Sequence, residues 1–217
     1  MEKVRTKDGS TSFRSEKYDE HYHTLSGAKE ESFEKHAKPA KLLEAAKKGK
    51  VRILDFCFGL GYNAAAAIDL IQEADENCEI EVIGLENDME IINEIKNLDE
   101  DFSCWKMFKE LTQSKDLSYE KGKIKMKVIL DDALKAIDHL EGNFDAVFFD
   151  PFSPKKHPEM WTEEVFKKMF KLMRKGAVLT TYSCARITRD NMKAAGFQVL
   201  DGPCIGRRSP STIAVKM

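Results

Sequence analysis

Residues 144–150 read FDAVFFD, a run with almost no side chain suited to water that ends on a carboxylate. A strand this apolar has no face to turn to solvent, so it belongs inside a parallel sheet covered on both sides. Further strand-like runs fall at residues 51–57, 80–86, 124–130, 177–183, 197–201 and 212–215. Most gaps between them carry helix-period patterns, as at residues 64–74, 132–140 and 162–173, the last with Phe166, Met169, Phe170 and Met173 on one face. This alternation predicts an α/β fold, a mostly parallel sheet with helices on both faces. The last gap, GPCIGRRSPS, is too short for a helical crossover, so the final two strands form a C-terminal antiparallel hairpin.

A chain of 217 residues suits one domain with an elaborated end. Residues 1–48 read as an N-terminal extension packing on the core, a polar lead-in followed by a helix-like segment that Pro39 interrupts. Residues 49–217 hold the main domain, with a helical insertion at about 89–122 that carries Trp105, Phe108 and Leu111. With 35 Lys and Arg against 37 Asp and Glu, the net charge of −2 exerts no global pull on a polyanion, so any nucleic acid must meet a local patch. The start, MEKVRTKDGSTSF, lacks the apolar core of a signal peptide, and no run is long enough to span a bilayer, so a cytoplasmic protein without membrane contact is expected. Five cysteines without a CxxC pair read as reduced thiols. His21 and His23 could form half of a metal site, yet no acidic or Cys/His cluster completes it, so they read as polar loop contacts and no metal is expected. Oligomeric state is not legible.

A sheet closed by such a hairpin resembles the Rossmann-like fold of S-adenosylmethionine (SAM) dependent methyltransferases. The first strand runs into DFCFGLGYN, residues 55–63, where Gly59 and Gly61 allow a sharp turn and close approach of backbone to ligand. The second strand ends in Glu86, in VIGLEND, where a carboxylate can accept both hydroxyls of a ribose. A nicotinamide dinucleotide or SAM would suit this arrangement. Two features favour SAM: Asn63 and Ala64 stand where GxGxxG has its third glycine, and the third strand ends LDDA, where Asp132 can accept from an adenine amino group beside the Ala133 amide. Phe58, Asn63 and Asn87 complete the expected cofactor contacts. Glu86 and Asp132 as plain surface caps is the structural alternative.

The fourth strand ends at Asp150, at the sheet edge where α/β proteins bind ligands. Asp-Pro also starts turns and helix caps, so the pair alone does not decide. The stretch DPFS, residues 150–153, is similar to the [D/N]PP[Y/F] motif of methyltransferases that act on nitrogen. Asp150 can accept the N–H hydrogens of an amine and aim its lone pair at a methyl donor, and Phe152 can stack on a planar substrate. An alkylamine resembles lysine, with a pKa of about 10, so deprotonating it at pH 7 costs roughly 4 kcal/mol. Asp150 is the expected catalytic residue, orienting the amine and helping its proton leave. Cys204 after Pro203 suggests the thiol of pyrimidine carbon-5 methylases, but it lies in the late hairpin, and Cys57 reads as core packing.

Several blocks together are more specific. DGSTSF (residues 8–13), YDEHYHTLSGAKEES (18–32), FGLGYN (58–63), DPFSPKKHPEMWT (150–162) and GRRS (206–209) resemble the methyltransferase domain of the MnmC family, over nearly the whole chain. The resemblance implies SAM as cofactor, and tRNA carrying an aminomethylated wobble uridine as substrate, methylated to 5-methylaminomethyl(-2-thio)uridine. It implies that Asp150 is the active-site aspartate, and that Tyr22 and Glu31 close over the cofactor's methionine end or the substrate. Cys57 stands where the family usually has glycine, and Pro151 and Ser153 replace small alanines. No counterpart of the family's FAD-dependent oxidase domain follows, so a stand-alone methyltransferase is expected. Ser153, Lys155, Lys156, Arg207 and Arg208 are the expected substrate contacts, with Lys35, Lys38, Lys41, Lys47, Lys48 and Lys50 as a further basic surface or a solvated helix face. A polyamine aminopropyltransferase and a non-catalytic nucleotide-binding module are the competing readings.

Overall fold

The computed structural model describes residues 1–206 and 208–217. The chain opens with three short antiparallel strands, β1 (Glu2–Arg5), β2 (Thr11–Ser15) and β3 (Glu20–His21). Helix α1 (Ala28–Glu31) then runs into a π-helical segment, Ser32–Ala37, followed by α2 (Leu42–Ala46). The main sheet begins with β4 (Lys50–Phe56), α3 (Tyr62–Ala74) and β5 (Glu79–Glu86). Next come α4 (Met89–Glu94), α5 (Trp105–Gln113), β6 (Ser118–Lys121), β7 (Ile124–Leu130) and α6 (Ala133–Ala136). The chain continues through β8 (Phe144–Phe149), α7 (Glu163–Leu172), β9 (Met173–Thr181) and α8 (Arg186–Ala194), and ends in β10 (Gln198–Asp201) and β11 (Thr212–Val215).

The eight-stranded sheet has the order β10-β11-β9-β8-β4-β5-β7-β6. Strand β4 pairs in parallel with β5 on one side and β8 on the other, and β5/β7 and β8/β9 are parallel too. Chain direction across the sheet therefore reverses at β4, and the carboxyl ends there frame a crevice. The hairpin of β10 and β11 is antiparallel and joins β9, as the short last gap predicts. The resulting fold is the Rossmann-like one expected.

Alternation explains the layers. Ile53 and Phe148 enter the core on one face of the sheet, Leu54 and Phe149 the core on the other, and all four are fully buried. Four consecutive alanines, residues 64–67, are also fully buried, which lets α3 lie close against the strands. Helix α7 starts where Thr162 accepts from Val165 N–H, with Glu163 and Glu164 in its first turn, where acidic residues are favoured.

Two regions differ from the sequence reading. The polar lead-in folds into the β1–β3 sheet, and the segment after Met89 ends in a strand, β6, antiparallel to β7. Both are short and polar, and in β2 burial comes to Thr11, Ser12 and Ser15 through hydrogen bonding instead of an apolar face. No helix among the described residues is long and apolar enough to cross a membrane, and they contain no cluster of three His, Cys, Asp or Glu suited to a metal ion.

Asp8 ties the lead-in to α1. It accepts the Thr6 and Ser10 hydroxyls, Ser10 N–H and, at 2.9 Å, Glu30 N–H. Partial burial opposes its charge, but these donors prevail and hold the carboxyl at about 2, below its ordinary 3.8. The unfolded carboxyl takes up a proton at higher pH than the folded one, so the contribution is complete above about pH 4 and is lost as pH falls toward 2. Asp8→Asn should lower the Tm at pH 7 by a few degrees, on the order of 2–4 °C, and flatten its fall between pH 4 and 2. Circular dichroism melts across that range check both; an unchanged pH slope removes Asp8 from this role.

Candidate active site

A cavity of about 380 Å³ opens at the carboxyl ends of the central strands, within the size range of small-molecule sites, roughly 300–1,000 Å³. From β4 and its turn come Cys57, Phe58, Gly59 and Asn63; from β5, Leu85, Glu86 and Asn87; from the start of α6, Ala133. Asp150, Pro151, Phe152 and Ser153 enter after β8, and Tyr182 after β9. The N-terminal segment closes the opposite side with Tyr18, Glu20, His21, Tyr22, His23, Glu31 and Lys35.

The glycines divide their work. Gly59 has φ +53°, and a Cβ there would meet only Tyr22 at 3.5 Å, so the backbone faces the cavity. Gly61 has φ +76° but does not line the cavity; a Cβ would strike the Phe58 and Phe108 rings at 2.6 and 2.7 Å. Its smallness serves core packing at the start of α3, which corrects its reading as a ligand contact. Cys57 adopts φ +68°, a left-handed conformation that costs a non-glycine residue of the order of 1 kcal/mol, at the position where glycine is usual in the family it resembles. Burial, then Glu86, pushes its thiol well up, which keeps it protonated.

Glu86 is buried and already well supplied with donors. Oε2 accepts Gly59 N–H at 2.8 Å, and Oε1 accepts Asn87 and Asp88 N–H at 2.9 and 3.0 Å. Three of about four lone-pair positions are occupied, which leaves room for one ligand hydroxyl on Oε2 in this arrangement. Burial raises its pKa against those hydrogen bonds. Because a carboxylate takes the Gly59 N–H, the turn presents a negative group where a dinucleotide pyrophosphate would require donors. The site suits a cofactor without phosphate.

Asp150 is clamped. Asn63 Nδ2 donates to its Oδ2 at 2.9 Å, while Oδ1 has no hydrogen-bond partner among the described residues. Beside it, Phe152 is not a bare stacking surface: Tyr18 covers its face at 4.4 Å between ring centroids and Tyr22 meets its edge at 5.0 Å. Ser153 donates its N–H to Glu20 Oε2 at 2.9 Å and its hydroxyl to the other oxygen. Tyr22 Oη donates to Asp88 at 3.0 Å. Burial, then Asp88 and Glu86, pushes that phenol up, so it stays a donor. Glu31 accepts Thr24 N–H at 2.8 Å and pairs with Lys35 at 2.6 Å; burial opposes its charge, yet Lys35 keeps its carboxyl below the ordinary value.

Other expected positions lie elsewhere. Asp132 does not line the cavity; its carboxylate accepts Leu134 N–H at 2.9 Å and caps α6, the structural alternative named for it. Lys155, Lys156 and Arg208 are exposed and outside the cavity, Lys156 pairing with Asp19 at 3.2 Å, and Arg207 lies outside the described residues. Lys35, read from sequence as surface charge, is only 3 % exposed and is the one lysine or arginine among the described lining residues. Cys204 is exposed and outside the cavity. The sequence places His157 beside Lys155 and Lys156 as a substrate contact, and of the three it alone lines the cavity; Tyr18, Glu20, Met160 and Tyr182 line it without having been singled out. Tyr18 and Glu20 stand in the block of residues 18–32 and Met160 in that of residues 150–162, which is the signal available for them; Tyr182 has none.

The S-adenosyl-L-methionine-dependent methyltransferase family model matches residues 93–217. The crystal structure of MNMC2 from Aquifex aeolicus superposes with a TM-score of 0.85 at 32% identity, over 99% of this chain and 70% of that one. An uncharacterized protein of Methanocaldococcus jannaschii is 30% identical over 98% of this chain and 59% of its own length. The tRNA 5-methylaminomethyl-2-thiouridine biosynthesis bifunctional protein MnmC of Ralstonia nicotianae is 36% identical over 98 residues, which are 45% of this chain but 15% of that protein. The chain thus spans little more than half of one curated relative and a small part of the other. Fold, family match and the MNMC2 superposition agree: the chain belongs to the S-adenosyl-L-methionine-dependent methyltransferase family, in its MnmC branch.

Proposed function

We propose that the protein methylates the primary amine of 5-aminomethyl(-2-thio)uridine at the wobble position of tRNA, giving the methylaminomethyl form. The observation that carries this is Asp150 in DPFS, held at Oδ2 by Asn63 with Oδ1 available to a substrate N–H, beside an aromatic cluster able to take a base. The names of the relatives supply the tRNA and the uridine. A tRNA substrate also fits a cytoplasmic protein.

SAM, when bound, supplies a methyl group on a positively charged sulfonium. The carboxylates of Glu86, Asp150, Glu20 and Glu31 line the cavity, a field that favours a cation and an ammonium. Glu86 would hold a ribose hydroxyl, Asn87 and Ala133 the nucleoside, and Glu31 with Lys35 the charged amino-acid end. Asp150 orients the amine through its N–H hydrogens and assists loss of its proton. A base would displace Tyr18 from Phe152 or extend the stack. Exposed Lys155, Lys156 and Arg208 would meet tRNA phosphates outside the cavity.

The direct test is to incubate the protein with SAM and tRNA bearing 5-aminomethyluridine and identify the nucleosides by mass. A gain of one methyl on that nucleoside is expected; its absence, with SAM bound, overturns the substrate assignment. Glu86→Gln keeps an acceptor but loses the charge, and calorimetry should show SAM affinity reduced by about 10-fold or more. An unchanged affinity would take Glu86 out of the cofactor site.

Asp150→Ala should bind SAM and tRNA normally while kcat falls at least about 100-fold. Asp150→Asn separates its two roles, because the amide still accepts a hydrogen bond but takes up no proton. Recovery of most of the rate in the Asn variant means orientation dominates. Recovery only at high pH means proton removal does. Near-normal turnover in the Ala variant would end the assignment.

A further inference from the structure

One polar group behind the cavity is left unexplained. His36 is fully buried in the π-helical segment and does not line the cavity, yet its Nε2 stands 3.7 Å from Asp150 Oδ2 and has no hydrogen-bond partner among the described residues. Nδ1 is 3.4 Å from the Thr180 hydroxyl on β9, and Phe148 meets the ring edge-on with centroids 6.0 Å apart. The segment is held wide by Lys38 N–H bonding to Phe33 C=O, five residues back. Insertions of this kind often sit at functional sites. A buried ring nitrogen without a partner costs a protein stability, and an apolar ring of similar size would avoid that cost.

The position makes chemical sense through Asp150. Asn63 and His36 approach the same carboxylate oxygen, but the amide can only donate to it, whereas an imidazole can also accept a proton. We propose that His36 is the positioning and proton-holding partner of Asp150, an inference that rests on the substrate nitrogen being an amine. The amine arrives as an ammonium. An N–H bond breaks, its electron pair stays on nitrogen as the attacking lone pair, and the proton passes to Asp150 and on to His36 Nε2. Imidazole becomes imidazolium, and Asp150 remains a carboxylate able to orient the remaining N–H hydrogens. Imidazole is intrinsically the more basic of the two groups by roughly two and a half pH units, which suits it to hold the proton. After release of product the proton returns to solvent through the cavity.

The groups facing His36 are Asp150 from the end of β8, Glu31 and Lys35 from its own helical run, and His23 from the segment after β3. Burial acts most strongly and keeps the imidazole below its ordinary value, while Asp150 and Glu31 favour the imidazolium and Lys35 opposes it. The resting ring is therefore neutral and ready to accept.

Two measurements test the pairing. In protein without substrate, NMR titration of labelled histidine should show His36 titrating at least about one pH unit lower in Asp150→Asn than in the unaltered chain, because the charge that favours imidazolium is gone. Coincident curves overturn the proposal. In turnover, His36→Gln and His36→Phe should each lower kcat about 10- to 100-fold at pH 7 with SAM affinity within 2-fold, and the deficit should shrink at high pH, where the amine arrives neutral. Full activity in both variants at every pH, or a deficit independent of pH, also overturns it. If the unaltered protein leaves aminomethyluridine unmodified, the functional reading fails, and the titration alone decides the pairing.

Discussion

One carboxylate joins the two turns on which the cavity depends. Glu86 accepts N–H groups from Gly59, in the turn after β4, and from Asn87 and Asp88, in the turn after β5. The strands themselves are parallel neighbours, so their ends already lie side by side. Fixing the turns to one buried group converts that adjacency into a defined floor. Its position also decides what can bind, because an anion would face a negative charge where glycine turns elsewhere offer free donors. The same residue thus holds the fold at this edge and puts a carboxylate into the cavity wall.

The N-terminal sheet supplies the other wall. Tyr18, Glu20 and Tyr22 reach across to Phe152, Ser153 and Asp88, so the lead-in is tied to the segment after β8 by stacking and hydrogen bonds. Asp8 anchors that lead-in to α1, and α1 carries Glu31 and leads to Lys35 and His36. Residues 1–37 therefore contribute as directly to the cavity as the strand ends do. The block DGSTSF, which marks the family resemblance, has a structural role: it builds the knot around Asp8.

Legibility in the sequence followed the physics that buries each part. Strands β4, β5, β7 and β8 are buried by apolar side chains, and their runs were readable as such; Glu86 and Asp150 followed because they sit where those runs stop. Strands β2 and β6 are short and mostly polar, each with a single aromatic on the core, Phe13 and Tyr119, which leaves no apolar period to read. Lys35 and His36 lie in KEESFEKHAKPAK, a composition that reads as a solvated helix, and only tertiary contact with α3 and β9 buries them. Asp132 shows the converse: a carboxylate at a strand end looks like a ligand acceptor, and the start of α6 claims it as a cap.

The central claim is that this cavity places the cofactor's reactive end against Asp150. A crystal structure with S-adenosylhomocysteine tests it most directly. A ribose hydroxyl on Glu86 Oε2, the adenine toward Ala133 and the sulfur beside the Asp150 carboxylate, with space between for a methyl group and an amine nitrogen, is the result predicted. The nucleoside bound outside this cavity, or inside it with the sulfur turned away from Asp150, would contradict the account.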